Sequence, residues 1–206
     1  MTDPNCEALV LGIGNVLWAD EGFGVRCAEA LAARWQVPAD VRILDGGTQG
    51  LYLLPYVQGA RRLIVFDAID YGLAPGTLRV VEGDEVPRFM AAKKMSLHQT
   101  GFQEVISAAE LTGKAPEAMV LIGVQPEELE DFGGGLRASV REQIPQALAL
   151  AVDRLRQWGF DPVPRPQPVP DDSALGLAAY EGGRPSEEAA CRVGDERFLR
   201  MRDAGR

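Results

Sequence analysis

Short apolar runs recur along this chain with helical repeats between them, and that alternation narrows the fold more than any other feature. "ALVL" (8–11) stops at Gly12, "VRIL" (41–44) runs into "DGGTQG", and "RLIVFDA" (62–68) closes on Asp67. Runs of this length, rich in branched residues and bounded by turn formers, read as buried strands. "GTLRVVEG", following the turn signal "APG", and "AMVLIGV" (118–124) add further strands. Between them, Val25, Ala28, Ala32 and Trp35 share one helical stripe, and "LYLLPYV" forms a short helical joint. Phe102, Val105, Ile106 and Ala109 make a second stripe just after His98, and Leu148, Val152 and Leu155 a third, where Pro145 marks a kink or a fresh first turn. The pattern predicts an α/β fold: a three-layer sandwich in which a mainly parallel, twisted sheet of about five strands is flanked by helices on both faces.

A chain of 206 residues with 46% hydrophobic content suits one domain with its own core. After Trp158 the texture changes to "DPVPRPQPVPDD", whose alternating prolines favour an extended, semi-rigid spacer. Residues 1–160 are therefore expected to form the domain. Residues 161–206 would be a Pro-rich linker and a mostly irregular tail, with one short helix around "DERFLRMR". No part of the core pattern lies beyond Phe160, so truncation there is expected to preserve activity.

Charge excludes several partners. A net charge of −9 and a pI near 4.7 argue against nucleic acid and anionic membranes, which call for clustered Lys and Arg. Apolar runs such as "ALVLGIGNVLWA" end at charge after about a dozen residues, short of the roughly 18–20 of a membrane span, and the acidic start lacks a signal peptide's basic region. Cys6, Cys27 and Cys191 contain no Cys-x-x-Cys pair, so neither a disulfide framework nor a thiolate zinc site is indicated. A reducing, cytoplasmic setting is expected.

In open α/β sheets the functional crevice lies at the carboxyl ends of the strands. Glu21 follows the first strand, Asp45 ends the second, Asp67 ends the third, and His98 stands at the predicted start of a helix. Each has a structural alternative. Asp20 or Glu21 could cap the helix beginning near Gly22. Asp45 in "DGGT" could organise its own turn. Asp67 could serve as a buried hydrogen-bonding group, although an uncompensated charge there would cost several kcal/mol. His98, the only histidine, could be a structural residue beside Phe102. A helix start disfavours imidazolium, however, and leaves the neutral ring that metals require. Glu21, Asp67 and His98 would then offer two carboxylates and one imidazole, a set suited to nickel, zinc or a similar divalent ion with positions left open.

Other motifs are weaker. "GIGNVLW" lacks the third glycine of a dinucleotide fingerprint, and Asp20 with Glu21 would repel a pyrophosphate. No Gly-Lys-Ser/Thr phosphate loop, His-Glu-x-x-His helix or Gly-x-Ser-x-Gly elbow occurs. A Cys27/His98 dyad would need a reactive thiol, whereas Cys27 lies inside a helix beside an apolar stripe, where thiols are inert.

"LGIGNVLWADEGFGVR", "LDGGTQG", "FDAID", "APGT", "SLHQTGF" and "IGVQPE" occur in an order and spacing that resemble the hydrogenase maturation endopeptidases, over roughly residues 7–160. "SLHQTGFQEVI" is most similar to the branch serving membrane-bound uptake hydrogenases. The resemblance implies an endopeptidase that removes a C-terminal extension from the nickel-loaded large-subunit precursor of a nickel-iron hydrogenase. It also implies that Glu21, Asp67 and His98 contact nickel brought by that precursor, that other divalent ions such as zinc can take its place, and that "DGGT" with Asp45 serves substrate recognition or reactivity. Asp45 and Asp67 are the carboxylates expected to carry the chemistry, in a monomer. The alternative is a nickel-checking chaperone that binds the same precursor without cutting it.

Overall fold

The computed structural model describes residues 4–87, 97–170 and 176–182. Strands β1 (Cys6–Ile13), β3 (Val41–Gly47), β4 (Ala60–Ala68), β5 (Leu78–Glu82) and β6 (Ala118–Val124) form one sheet in the order β3-β1-β4-β6-β5. All neighbours pair in parallel except β5, which runs antiparallel to β6. The Ile69–Thr77 connection explains that exception, being shorter than the dozen or so residues a parallel crossover needs.

Side-chain alternation sends the two halves of each strand to opposite faces. Ala8, Val10, Ile64, Phe66 and Ile122 pack against α1 (Phe23–Arg34) and α5 (Ile144–Gln157), which follows the single turn α4 (Ala138–Arg141). Leu9, Leu11, Leu63, Val65 and Leu121 pack against α2 (Leu54–Gln58) and α3 (Leu97–Leu111). Helices on both faces are why these strands read as continuous apolar runs without alternation. The expected three-layer α/β sandwich is thus the observed architecture, and Pro145 sits in the first turn of α5.

The α1 stripe differs from its expected course. Residues 23–28 are buried on every side, but only Phe23, Cys27 and Leu31 continue as the core stripe; Ala32 is exposed, and Trp35 belongs to the two-residue strand β2 (Trp35–Gln36). The cause is the closeness of helix and sheet. A Cβ on Gly24 would collide with the carbonyl oxygens of Phe66 and Ile13, and one on Gly12 with the carbonyl of Gly24. Two glycines facing each other let the helix start directly on the backbones of β1 and β4. Cys27 is fully buried, and burial pushes its thiol well above the usual range, as expected of an inert cysteine.

The alternating-proline segment is extended, and it is docked. Strand β7 (Val163–Pro164) pairs antiparallel with β2, while the Arg165 amide donates to the Arg34 carbonyl at 2.8 Å and the Val169 amide to Ala33 at 2.9 Å. Prolines at 162, 164, 166 and 168 remove every second donor, so the intervening residues carry the bonds. A short helix α6 (Leu177–Gly182) follows and lays the Tyr180 ring 5.7 Å from the Arg26 guanidinium carbon. The helix expected around "DERFLRMR" lies outside the described residues. Among the described residues no helix is long and apolar enough to cross a membrane.

Candidate functional site

Strands β3, β1 and β4 are neighbours, so their carboxyl ends bring Asp45, the loop after β1 and Asp67 to one edge of the sheet. Asp45 stands opposite Gly12 in the β1–β3 register, and Asp67 opposite Gly123 in the β4–β6 register. Glu21 lies in a 3-10 turn (Ala19–Gly22) that packs against β4. Asp67 is 1% exposed and Glu21 7%, whereas Asp45 is exposed. Burying two carboxylates at one edge is costly unless something there compensates their charge.

The loop that carries Glu21 is held from a distance. The chain leaves β1 through Gly14 at φ 129°, and Ala19 adopts a left-handed φ of 39°, which costs about 1 kcal/mol or more in a non-glycine residue. Asp20, fully buried, compensates by accepting the backbone amides of Glu127 (2.8 Å), Glu128 (2.9 Å) and Arg137 (2.7 Å). Burial raises its pKa, with those amides and the Arg137 charge pulling the other way. Asp20 therefore staples the first loop to the loop after β6. It does not cap α1, whose N-cap is Gly22 with no side-chain bond.

Asp45 does organise its own turn, since its carboxylate accepts the Gly47 amide, and Gly47 takes φ 45°. Partial enclosure raises its pKa, opposed by that amide and by Arg26. Arg26 itself is 3% exposed, bonds Glu29 at 2.9 Å and lies under Tyr180.

Around Asp67 the loop after β4 is folded by Gln125. Its Oε1 accepts the amides of Tyr71 (2.7 Å) and Leu73 (3.1 Å), and its Nε2 donates to Asp70 (3.0 Å) and to the Pro126 carbonyl (3.2 Å). This turns the buried Tyr71 ring back over β6, with Arg79 5.6 Å from its centre. His98 lies in the first turn of α3 as described, close to the predicted start; its side chain is outside the described residues. Among the described residues, which do not include the His98 side chain, no three His, Cys, Asp or Glu side chains are gathered closely enough for a metal. A cavity of about 540 Å³ opens at the opposite edge, at the amino ends of β1 and β4, and is lined by none of the candidate residues.

A family profile described as hydrogenase maturation protease matches residues 25–154. The chain belongs to that family. It is a peptidase of the hydrogenase maturation type, and its fold is shared with the hydrogenase maturating endopeptidase HybD from Escherichia coli, at a TM-score of 0.73 and 42% identity over 77% of this chain and 98% of that one. The hydrogenase expression/formation protein HoxM of Cupriavidus necator is 58% identical over 93% of this chain and 97% of its own length. HupD of Rhodobacter capsulatus, described in the same words, is 60% identical over 94% and 93%. A match over 93% of the chain runs well past Phe160, so the similarity does not end at residue 160 as the motifs alone suggested.

For a maturation protease the arrangement offers acids of two kinds: a buried pair, Glu21 and Asp67, and the accessible Asp45. Sequence reasoning missed Asp20, Gln125 and Tyr71 in the loops around them. Asp20 was visible only as a helix cap because its partners lie 107 to 117 residues away. Gln125 and Tyr71 carried no periodic signal, since both sit in loops beyond strand ends.

Proposed function

We propose that this protease removes the C-terminal extension of the nickel-loaded large-subunit precursor of a nickel-iron hydrogenase. The observation that carries the reading is the burial of Glu21 and Asp67 at adjoining strand ends, Glu21 in a turn stapled by Asp20 and Asp67 at the tip of β4. Nickel arrives with the precursor and is part of the substrate. Two carboxylates and the imidazole of His98 form a borderline-hard donor set that fits nickel or zinc, so Glu21, Asp67 and His98 would contact it and tell a loaded precursor from an empty one. The scissile peptide bond is attacked by water, with Asp45 or Asp67 taking its proton as general base.

The likeness of "SLHQTGFQEVI" to the branch serving membrane-bound uptake hydrogenases supports a place in that branch. The lack of any thiolate pair and the acidic surface fit a cytoplasmic monomer acting before the hydrogenase is assembled. Incubation of the protein with nickel-loaded precursor, followed by mass measurement of the large subunit, tests the activity. A fixed loss at the C-terminus is expected. Stable binding with an unchanged mass would make the protein a nickel-checking chaperone instead.

A further inference from the structure

All four residues of the Ala19–Gly22 turn are buried, although the turn belongs to a loop beyond a strand end. Strand β4 packs against it, and Asp20 anchors it to the loop after β6. A further side is covered by the far end of the chain. Leu177 and Tyr180 of α6 close a crevice with Val16, Ala19 and Gly22 that is too narrow to hold a water molecule. The C-terminal segment meets α1 at both ends of that helix. At the last turn, β7 pairs with β2, and the Arg165 and Val169 amides bond the carbonyls of Arg34 and Ala33. At the first turn, the Tyr180 ring lies 5.7 Å from the guanidinium carbon of Arg26. Arg26 is 3% exposed, and an aromatic face holds a cation most firmly where water is withdrawn from it.

We propose that Tyr180 is a positioning residue for Glu21: its ring, seated on Arg26, clamps the start of α1 and the Ala19–Gly22 turn in the arrangement that meets the precursor. The inference rests on the reading of Glu21 as a contact to the precursor's metal. Ala19 is the part that needs the clamp, because a non-glycine residue at φ 39° persists only where its surroundings hold it there. With the ring gone, water enters the crevice and the strained turn is left to Asp20 and β4. Displacement of a site group by about 1 Å is enough to cost about 100-fold in rate. HybD is matched along nearly its whole length by a share of this chain no larger than residues 1–160, whereas the match to HoxM runs into the C-terminal segment. The clamp is therefore an addition to the protease fold.

The test uses the full chain with Tyr180→Ala, Tyr180→Phe and, as a control on the underlying reading, Glu21→Gln. Amide hydrogen exchange over residues 15–22, melting temperature and processing of nickel-loaded precursor are measured on the same preparations. In Tyr180→Ala the amides of the turn are expected to exchange about 10-fold faster, and processing per folded molecule to slow by about 10-fold or more. Tyr180→Phe keeps the ring on Arg26 and is expected to stay within about twofold of wild type in both. Wild-type exchange and processing in Tyr180→Ala would overturn the positioning role, as would a lowered melting temperature with normal processing per folded molecule, which makes Tyr180 a packing residue. Faster exchange confined to α6 would also overturn it, and so would a Tyr180→Phe as impaired as Tyr180→Ala. Full processing by Glu21→Gln would instead remove the reading on which the inference rests, whatever the Tyr180 variants do.

Discussion

The Asp20 carboxylate accepts the Arg137 amide at 2.7 Å and so ties the loop after β1 to a segment 117 residues away. With Glu127 and Glu128 it satisfies three backbone donors. Asp20→Ala leaves those donors without their acceptor in a buried setting, at about 1 kcal/mol or more each. The expected loss is about 3 kcal/mol, or a melting temperature lower by roughly 6 to 12 °C for a chain of this size. Thermal unfolding of the purified variant measures it, and a shift below a degree or two would show that the staple contributes little.

A second prediction concerns pH. Partial enclosure raises the Asp45 pKa from its ordinary value, and the charge of Arg26 holds it lower than enclosure alone would. If cleavage needs Asp45 ionised, its rate falls as acidity rises through that pKa. Arg26→Gln removes the positive charge, so the Asp45 pKa rises and the acid limb of the rate profile moves to higher pH, whereas Arg26→Lys keeps the wild-type limb. Rates taken from pH 4 upward on folded protein decide it; identical profiles for both variants would detach Arg26 from Asp45.

Much of this was legible in the sequence. Strands β1, β4 and β6 are buried on both faces and therefore announce themselves as apolar runs, and Asp67 is conspicuous because it follows the unbroken Leu63–Phe66 stretch of β4. Glu21 and Asp45 could be placed at the same edge because strand order in such folds obeys few rules. What was illegible depends on contacts between residues far apart. The burial of Asp20 follows from loops that meet only in three dimensions, and Tyr71 over Gly123 joins the loop after β4 to the carboxyl end of β6. The docked tail was hidden for another reason: alternating prolines look the same in a free spacer and in an edge strand whose Arg165 and Val169 amides bond the neighbouring backbone.

That docking leads to a different prediction for truncation after Phe160. The segment contributes the β2–β7 pairing, two further backbone bonds and the Tyr180–Arg26 contact. At about 1 kcal/mol for each of the two further bonds and for the cation–π contact, with the β2–β7 pairing adding to these, its removal is expected to cost about 3 kcal/mol or more. Leu177 and Tyr180 also line a crevice with Val16, Ala19 and Gly22, which flank Glu21, so cleavage is expected to slow as well. A truncated protein with wild-type melting temperature and wild-type processing would return the tail to the status of a spacer.

The last prediction is His98→Ala. The helix that carries this residue gains its core contribution from Phe102, Val105, Ile106 and Ala109, all 2% exposed or less, and none of these changes in the variant. Alanine also favours helix over histidine by a few tenths of a kcal/mol, so the net stability change is expected within about 1 kcal/mol. Processing is expected to fall much further. No other imidazole exists in the chain to replace the lost nitrogen, and two carboxylates alone suit nickel less well than a set containing imidazole. The variant is therefore expected to fold, to fail on nickel-loaded precursor and to leave the uncut form to accumulate. A structural histidine gives the opposite pattern, a lower melting temperature with cleavage retained in the folded fraction. Melting temperature and precursor processing measured on one preparation separate the two, and near-normal cleavage by folded His98→Ala would remove the imidazole from the mechanism and leave Glu21 and Asp67 to meet the metal without it.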